Sequence, residues 1–166
     1  NDVAVKVVLR NLLGGHSGLE INEGRCNANK AMARLVQDAI ANFEACLAEW
    51  KGGNMRNAIP REAEVVLTLP KENLPALKEV VDEWRETFVG EYGSIEKDLT
   101  LTVEEVALPA HIVPAEIQDN LVNALCAAHN GVLRFIPEVP SIVETSSNLA
   151  IVEIGEGKAK FLILIR

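Results

Sequence analysis

The sequence predicts an α+β fold, a two-layer sandwich with helices on one face of a largely antiparallel sheet. Three features of the 166 residues predict it. Short β-branched or alternating runs of period two are interspersed with three longer segments whose apolar residues recur every three or four positions. These patterns follow one another as strand, helix, two extended segments, helix, strand, which is a βαββαβ unit. A third helix then leads into two strands joined by Gly155-Glu156-Gly157-Lys158, a hairpin signal, giving an αββ extension.

In chain order, Val3–Leu9 is short and β-branched and ends at Asn11, before the Gly14–Gly15 break. Asn27 can cap the next element. From Ala28, Ala31 and Met32 through Leu35, Val36, Ala39, Ile40, Phe43 and Leu47, the spacing predicts one apolar stripe on a helix packed against the sheet. Trp50–Ile59 is expected to be extended, because Ile59 precedes Pro60, which marks an edge or a bulge. Ala63–Leu69 is the strand that follows. A second helix from about Asn73 puts Leu77, Val80, Val81, Trp84 and Phe88 on one face and stops at Gly90–Gly93. Leu99–Leu108 alternates as a strand. Pro114 suits the first turn of a third helix, which continues through Ile117, Leu121, Leu125 and Ala128 to an Asn130–Gly131 end. The last strands are Asn148–Ile154 and Ala159–Ile165. The first half is ferredoxin-like, and no repeat, low-complexity tract or linker divides residues 1–166, so a single domain is expected.

Composition narrows the partners. A net charge of -8 and a pI near 4.9, with no cluster of Lys and Arg, leave phosphate or lipid headgroup charge unneutralised. No nucleic acid and no membrane surface is expected; a small molecule or a protein fits better. No apolar run approaches the roughly 20 residues that span a bilayer, and Asn1–Asn11 has neither a basic leader nor a cleavage site. Cys26, Cys46 and Cys126 are odd in number and lack CxxC spacing. Two of them fall in helical apolar patterns as small hydrophobes, and the set points to a reducing cytoplasm.

The stretch LLGGHSGLEINEGRCNANK, Leu12–Lys30, carries His16 among glycines ahead of a helix. A phosphate loop would use the backbone N–H groups at such a helix start, but the GK[ST] ending is missing. Ser17 as a nucleophile lacks a third member, and adjacent side chains rarely face one another as a triad requires. Two readings remain. The stretch is a glycine-rich turn with a solvated histidine, or a loop that displays an imidazole donor to a partner surface. A metal site would need several converging ligands, and His16, His111 and His129 are scattered without HExxH, HxD or CxxC. No metal ligand is expected in the chain, and His111 and His129 are expected to face solvent or sit at helix ends.

Three further stretches join the first: GGNMRNAIPREA (Gly52–Ala63), NGVLRFIPEVPSIVETSSNLAIVEI (Asn130–Ile154) and FLILIR (Phe161–Arg166). In order and wording the set resembles the lid, or non-catalytic, domain of the bacterial aminoacyl-histidine (Xaa-His) dipeptidases, of the zinc-dependent aminoacylase and carboxypeptidase-like superfamily. The resemblance runs from Gly14 to Arg166. It implies a domain inserted into a two-zinc catalytic domain, which carries the metal ligands and a glutamate general base. On that reading the chain is an excised lid of a cytoplasmic dipeptidase, inactive alone and without a cofactor of its own. Two zinc ions belong to the missing catalytic domain, and the partners are that domain, the dipeptide and a second copy in a homodimer. Residue by residue, His16 matches the family's lid histidine, while Arg166 and Asn148 match positions that hold the substrate's C-terminal carboxylate. Asn57 and Arg61 are further candidates. Read from the residues alone, Arg166 is also a strand-end charge, Asn148 a turn-former, and Asn57 and Arg61 a bulge and a surface charge. An independent acidic βαββαβ module that binds or dimerises through an edge strand remains the alternative.

Overall fold

The structure, a computed structural model, describes residues 1–166. Its elements are β1 (Val3–Arg10), α1 (Ala28–Phe43), β2 (Cys46–Gly52), β3 (Ala63–Leu69), α2 (Leu74–Tyr92), β4 (Thr100–Val106), α3 (Ala115–Ala127), β5 (Gly131–Ile136), β6 (Val139–Gly155) and β7 (Lys158–Ile165). All strand pairs are antiparallel, in the order β4-β1-β3-β2-β6-β5, with β7 also on β6. Ser147 pairs with both Gly131 and Ile165, and Val152 with both Gly52 and Phe161. Thus β5 and β2 lie one after the other along one flank of β6, and β7 runs along the other.

The α+β sandwich is as expected from the sequence, with one strand more. Val5, Val7 and Leu9 of β1, Val65, Leu67 and Leu69 of β3, and Leu149, Val152 and Ile154 of β6 join the helix stripes in one buried cluster. On α1 that stripe is largely alanine (Ala28, Ala31, Ala33, Ala39) around Met32, Leu35 and Val36. Small side chains let this central helix approach the sheet closely, with α2 and α3 beside it. Each fully buried Leu, Met or Val contributes about 1.5–3 kcal/mol relative to exposure.

Three expectations are corrected. Leu47 lies in β2 and not on the first helix: the chain reverses at Glu44, whose left-handed backbone (φ 55°) ends α1 one turn early. The i, i+4 step from Phe43 to Leu47 mimicked helix continuity, yet Leu47 reaches the same core from the sheet. Cys46 moves into β2 with it, and Cys26 lies before α1, which leaves Cys126 as the thiol on a helix. The extended segment Trp50–Ile59 is instead the end of β2 and a loop. Third, β5 and the first half of β6 were not anticipated, because Pro137 and Pro140 interrupt the pattern there. Both prolines are tolerated because the hairpin turns at Pro137–Glu138 and stands largely outside the core, with Leu133, Phe135, Val139 and Ile142 exposed. The hairpin after Gly155 forms as expected, with Glu156 (φ 52°) and Gly157 (φ 77°) as its two left-handed turn residues.

Candidate functional site

Four pieces of chain meet at one end of the sheet: the loop 11–27 after β1, the loop 53–62 after β2, the middle of β6, and the end of β7. The two loops are zipped together by short backbone pairing. His16 and Ala58 form an antiparallel bridge. Around it the Ser17 N–H donates to the Asn57 carbonyl at 2.9 Å and the Ile59 N–H to the Gly15 carbonyl at 2.8 Å. The root of the first loop is tied by the buried carboxylate of Glu96, which accepts the Leu13 N–H at 2.9 Å.

His16 is held in one orientation. Its Nδ1 accepts the N–H groups of Gly18 and Leu19 at 3.0 and 3.2 Å. A nitrogen that accepts two amide donors carries no proton, so in the neutral ring the proton sits on Nε2, which is left as a donor. Gly18 is where the imidazole and the chain end converge: a Cβ there would lie 3.1 Å from both His16 Cε1 and Arg166 Nη1. The missing side chain lets ring and guanidinium share that space.

Arg166 is placed by backbone pairing of its N–H and carbonyl with Ser146, at 2.9 and 3.0 Å. Its exposed guanidinium has no carboxylate within 4.0 Å, and neither does that of Arg61, whose stem lies across Gly14. In a chain of net charge -8, both guanidinium groups are left without an acidic partner. Asn57 is half-buried in the second loop, and its side-chain amide makes no hydrogen bond within the chain. Asn148 differs. It is 1% exposed, and its Nδ2 donates to the Ala58 carbonyl at 2.9 Å.

The five predicted residues therefore come together, four with groups facing outward or free and one enclosed. The phosphate-loop reading is excluded by distance along the chain. Asn27, whose Oδ1 accepts the N–H groups of Asn29 and Lys30, caps α1, and the Gly18 and Leu19 amides are turned onto His16 instead. The Ser17 hydroxyl is buried and makes no hydrogen bond, so His16 does not activate it. His111 is exposed in the segment before α3. His129, exposed just after α3, meets Ser147 Oγ at 2.6 Å. No group of three or more His, Cys, Asp or Glu side chains converges in the chain, and no helix is long and apolar enough to cross a membrane.

Sequence reasoning missed three participants. Gly18 had a signal, a glycine two residues after the histidine. Asn130, whose Oδ1 accepts the Leu149 N–H at 2.8 Å, read only as a helix end, and Glu96 gave no signal at all, because its partner Leu13 is 83 residues away.

The chain is 34% identical over 161 residues to the cytosol non-specific dipeptidase of Escherichia coli strain K12, covering 97% of this chain and 33% of that protein. The crystal structure of aminoacylhistidine dipeptidase from Vibrio alginolyticus matches it with a TM-score of 0.95 at 40% identity, over 98% of this chain and 33% of that one. The chain spans about one third of the length of each. The family model of the peptidase dimerisation domain matches residues 7–96, more than half of the chain. The chain belongs to the peptidase dimerisation domain family.

Proposed function

We propose that this chain is the lid of a two-zinc, cytoplasmic dipeptidase acting on Xaa-His type dipeptides, and that it supplies substrate contacts and not the metal site. The observation that carries the reading is the convergence of a tethered His16 and an unpaired Arg166 over Gly18. The names of the two relatives support its dipeptidase part, and the one-third share of each that this chain covers supports a domain of a longer enzyme. On this reading zinc ions held by a catalytic domain of the same polypeptide would supply an activated water.

As water attacks the scissile carbonyl, negative charge develops on its oxygen. His16, donating through Nε2–H, would stabilise that charge when the lid closes, and the two backbone amides on Nδ1 fix the ring beforehand. Arg166 offers two parallel N–H groups to the C-terminal carboxylate of the dipeptide. The free amide of Asn57 adds a neutral donor, and Arg61 adds positive charge nearby. Domain 1–166 acts as one body in this scheme, and a second copy associates through an edge strand, β4 or β7, or through the helical face.

The test is His16→Ala in the full-length enzyme. Loss of one oxyanion donor lowers kcat about a hundred- to a thousandfold, with KM and zinc content little changed. A variant that turns over at near the wild-type rate returns the loop to a plain glycine turn.

A further inference from the structure

Strand β6 crosses a gap on one flank. Through Ser147 it pairs with β5 and from Val152 with β2. Between them the peptide of Leu149 has no strand beside it on that side. A buried N–H and C=O left without partners would each cost free energy comparable to a lost hydrogen bond. Two asparagines take the strand's place. Asn130 Oδ1 accepts the Leu149 N–H at 2.8 Å, Asn27 Nδ2 donates to the Leu149 carbonyl at 3.0 Å, and the two amides are joined at 2.9 Å. The same Asn27 caps α1 with its oxygen. Its spacing in the sequence announced only that local role.

One residue earlier, Asn148 Oδ1 lies 3.5 Å from Asn27 Nδ2, while Asn148 Nδ2 donates to the Ala58 carbonyl. Ala58 is the residue bridged to His16. Two residues before Asn148, Ser146 holds the backbone of Arg166. The four residues Ser146–Leu149, themselves pinned to the start of α1, thus fix both the loop that bears His16 and the strand end that bears Arg166. A substrate carboxylate would need an amide N–H open to the cleft, whereas the Asn148 side chain is enclosed and one of its two N–H groups already serves a carbonyl.

We infer that Asn148, next to the Leu149 peptide that Asn27 and Asn130 hold, is a positioning residue that sets His16 relative to Arg166 through the Ala58 carbonyl and does not itself bind substrate. The inference rests on the roles of His16 and Arg166 proposed above. A small displacement of a catalytic group from its productive place lowers turnover by as much as about a hundredfold, and coupled residues give non-additive losses.

The experiment is a double-mutant cycle in the full-length enzyme, read on a free dipeptide and on its C-terminal amide. Asn148→Ala should lower kcat roughly ten- to a hundredfold on both substrates, leave KM within about twofold, and cost less than about threefold once His16 is already alanine. Asn27→Ser, which keeps a cap oxygen for α1 and removes the amide N–H given to Leu149 without setting a charge against two acceptor oxygens, should repeat the pattern at smaller size. Three results overturn the inference: a loss confined to the free carboxylate, which makes Asn148 a ligand; the same loss with and without His16, which makes it structural only; or no loss at all. His16→Ala at the wild-type rate defeats the proposed function instead, so the two failures are distinct.

Discussion

The helical face and the loop end of this domain are held by different forces. Against the helices, Trp50, Phe88, Leu35 and Leu149 are fully buried, and what matters is apolar area and shape. At the loop end the ordering groups are an amide, a carboxylate and an imidazole, each aimed at one or two backbone atoms: Asn148 at Ala58, Glu96 at Leu13, His16 at Gly18 and Leu19. Area is non-directional and sums over many contacts, so the core determines whether the domain folds. A hydrogen bond fixes a direction within tenths of an ångström and contributes only about 0.5–1.5 kcal/mol net. The loop end therefore determines where a few groups point, at little gain in stability.

The largest expected effect lies in the core. Trp50→Ala removes a fully buried indole from β2, together with its 3.1 Å hydrogen bond to Asn29 Oδ1, and should lower unfolding free energy by about 3–5 kcal/mol. Urea denaturation measures it, and a loss below about 1 kcal/mol would break the division drawn above.

Arg166→Lys probes the other region. Exposed and without an acidic partner, it should leave the urea midpoint unchanged. In the full-length enzyme kcat/KM for a free dipeptide should fall by about 1.5–3 kcal/mol, because lysine supplies charge without the two-pronged geometry. A C-terminally amidated dipeptide should barely respond. Equal losses on both substrates would make Arg166 a strand-end charge and move the carboxylate site to Asn57 and Arg61.

The smallest effect sharpens the boundary between the regions, where Cys26 lies buried at the end of the first loop, just before α1. Burial, with a further push from the charge of Glu96, raises its thiol from the ordinary 9.0 to about 12. The folded chain thus holds that proton more tightly than the unfolded chain does. The stabilisation is complete below about pH 9 and is lost as pH rises from there towards 12, with a slope that approaches about 1.4 kcal/mol per pH unit. Comparing the wild type with Cys26→Ala by urea titration between pH 8 and 10, in round values about one unit either side of that onset, isolates this slope from the other groups. Identical pH dependence in the two would show that Cys26 is not enclosed.

The sequence by itself determined the βαββαβ order, the three helices and the terminal hairpin, since hydrophobic period, caps and turn residues act over a few positions. It also held the resemblance that singled out His16, Arg166, Asn148, Asn57 and Arg61. Only the tertiary structure decided that Leu47 belongs to the sheet, that β5 pairs along β6 despite Pro137 in the turn and Pro140 in β6, and that Asn148 faces Ala58. In sequence Asn27, Asn130 and Asn148 are a helix cap, a helix end and a turn-former, each complete in its own neighbourhood. Their second hydrogen bonds run across 121 residues between Asn27 and Asn148 and 90 between Asn148 and Ala58. An amide has both a donor and an acceptor, and local pattern reveals which is used nearby but not what the other meets when distant strands are brought together.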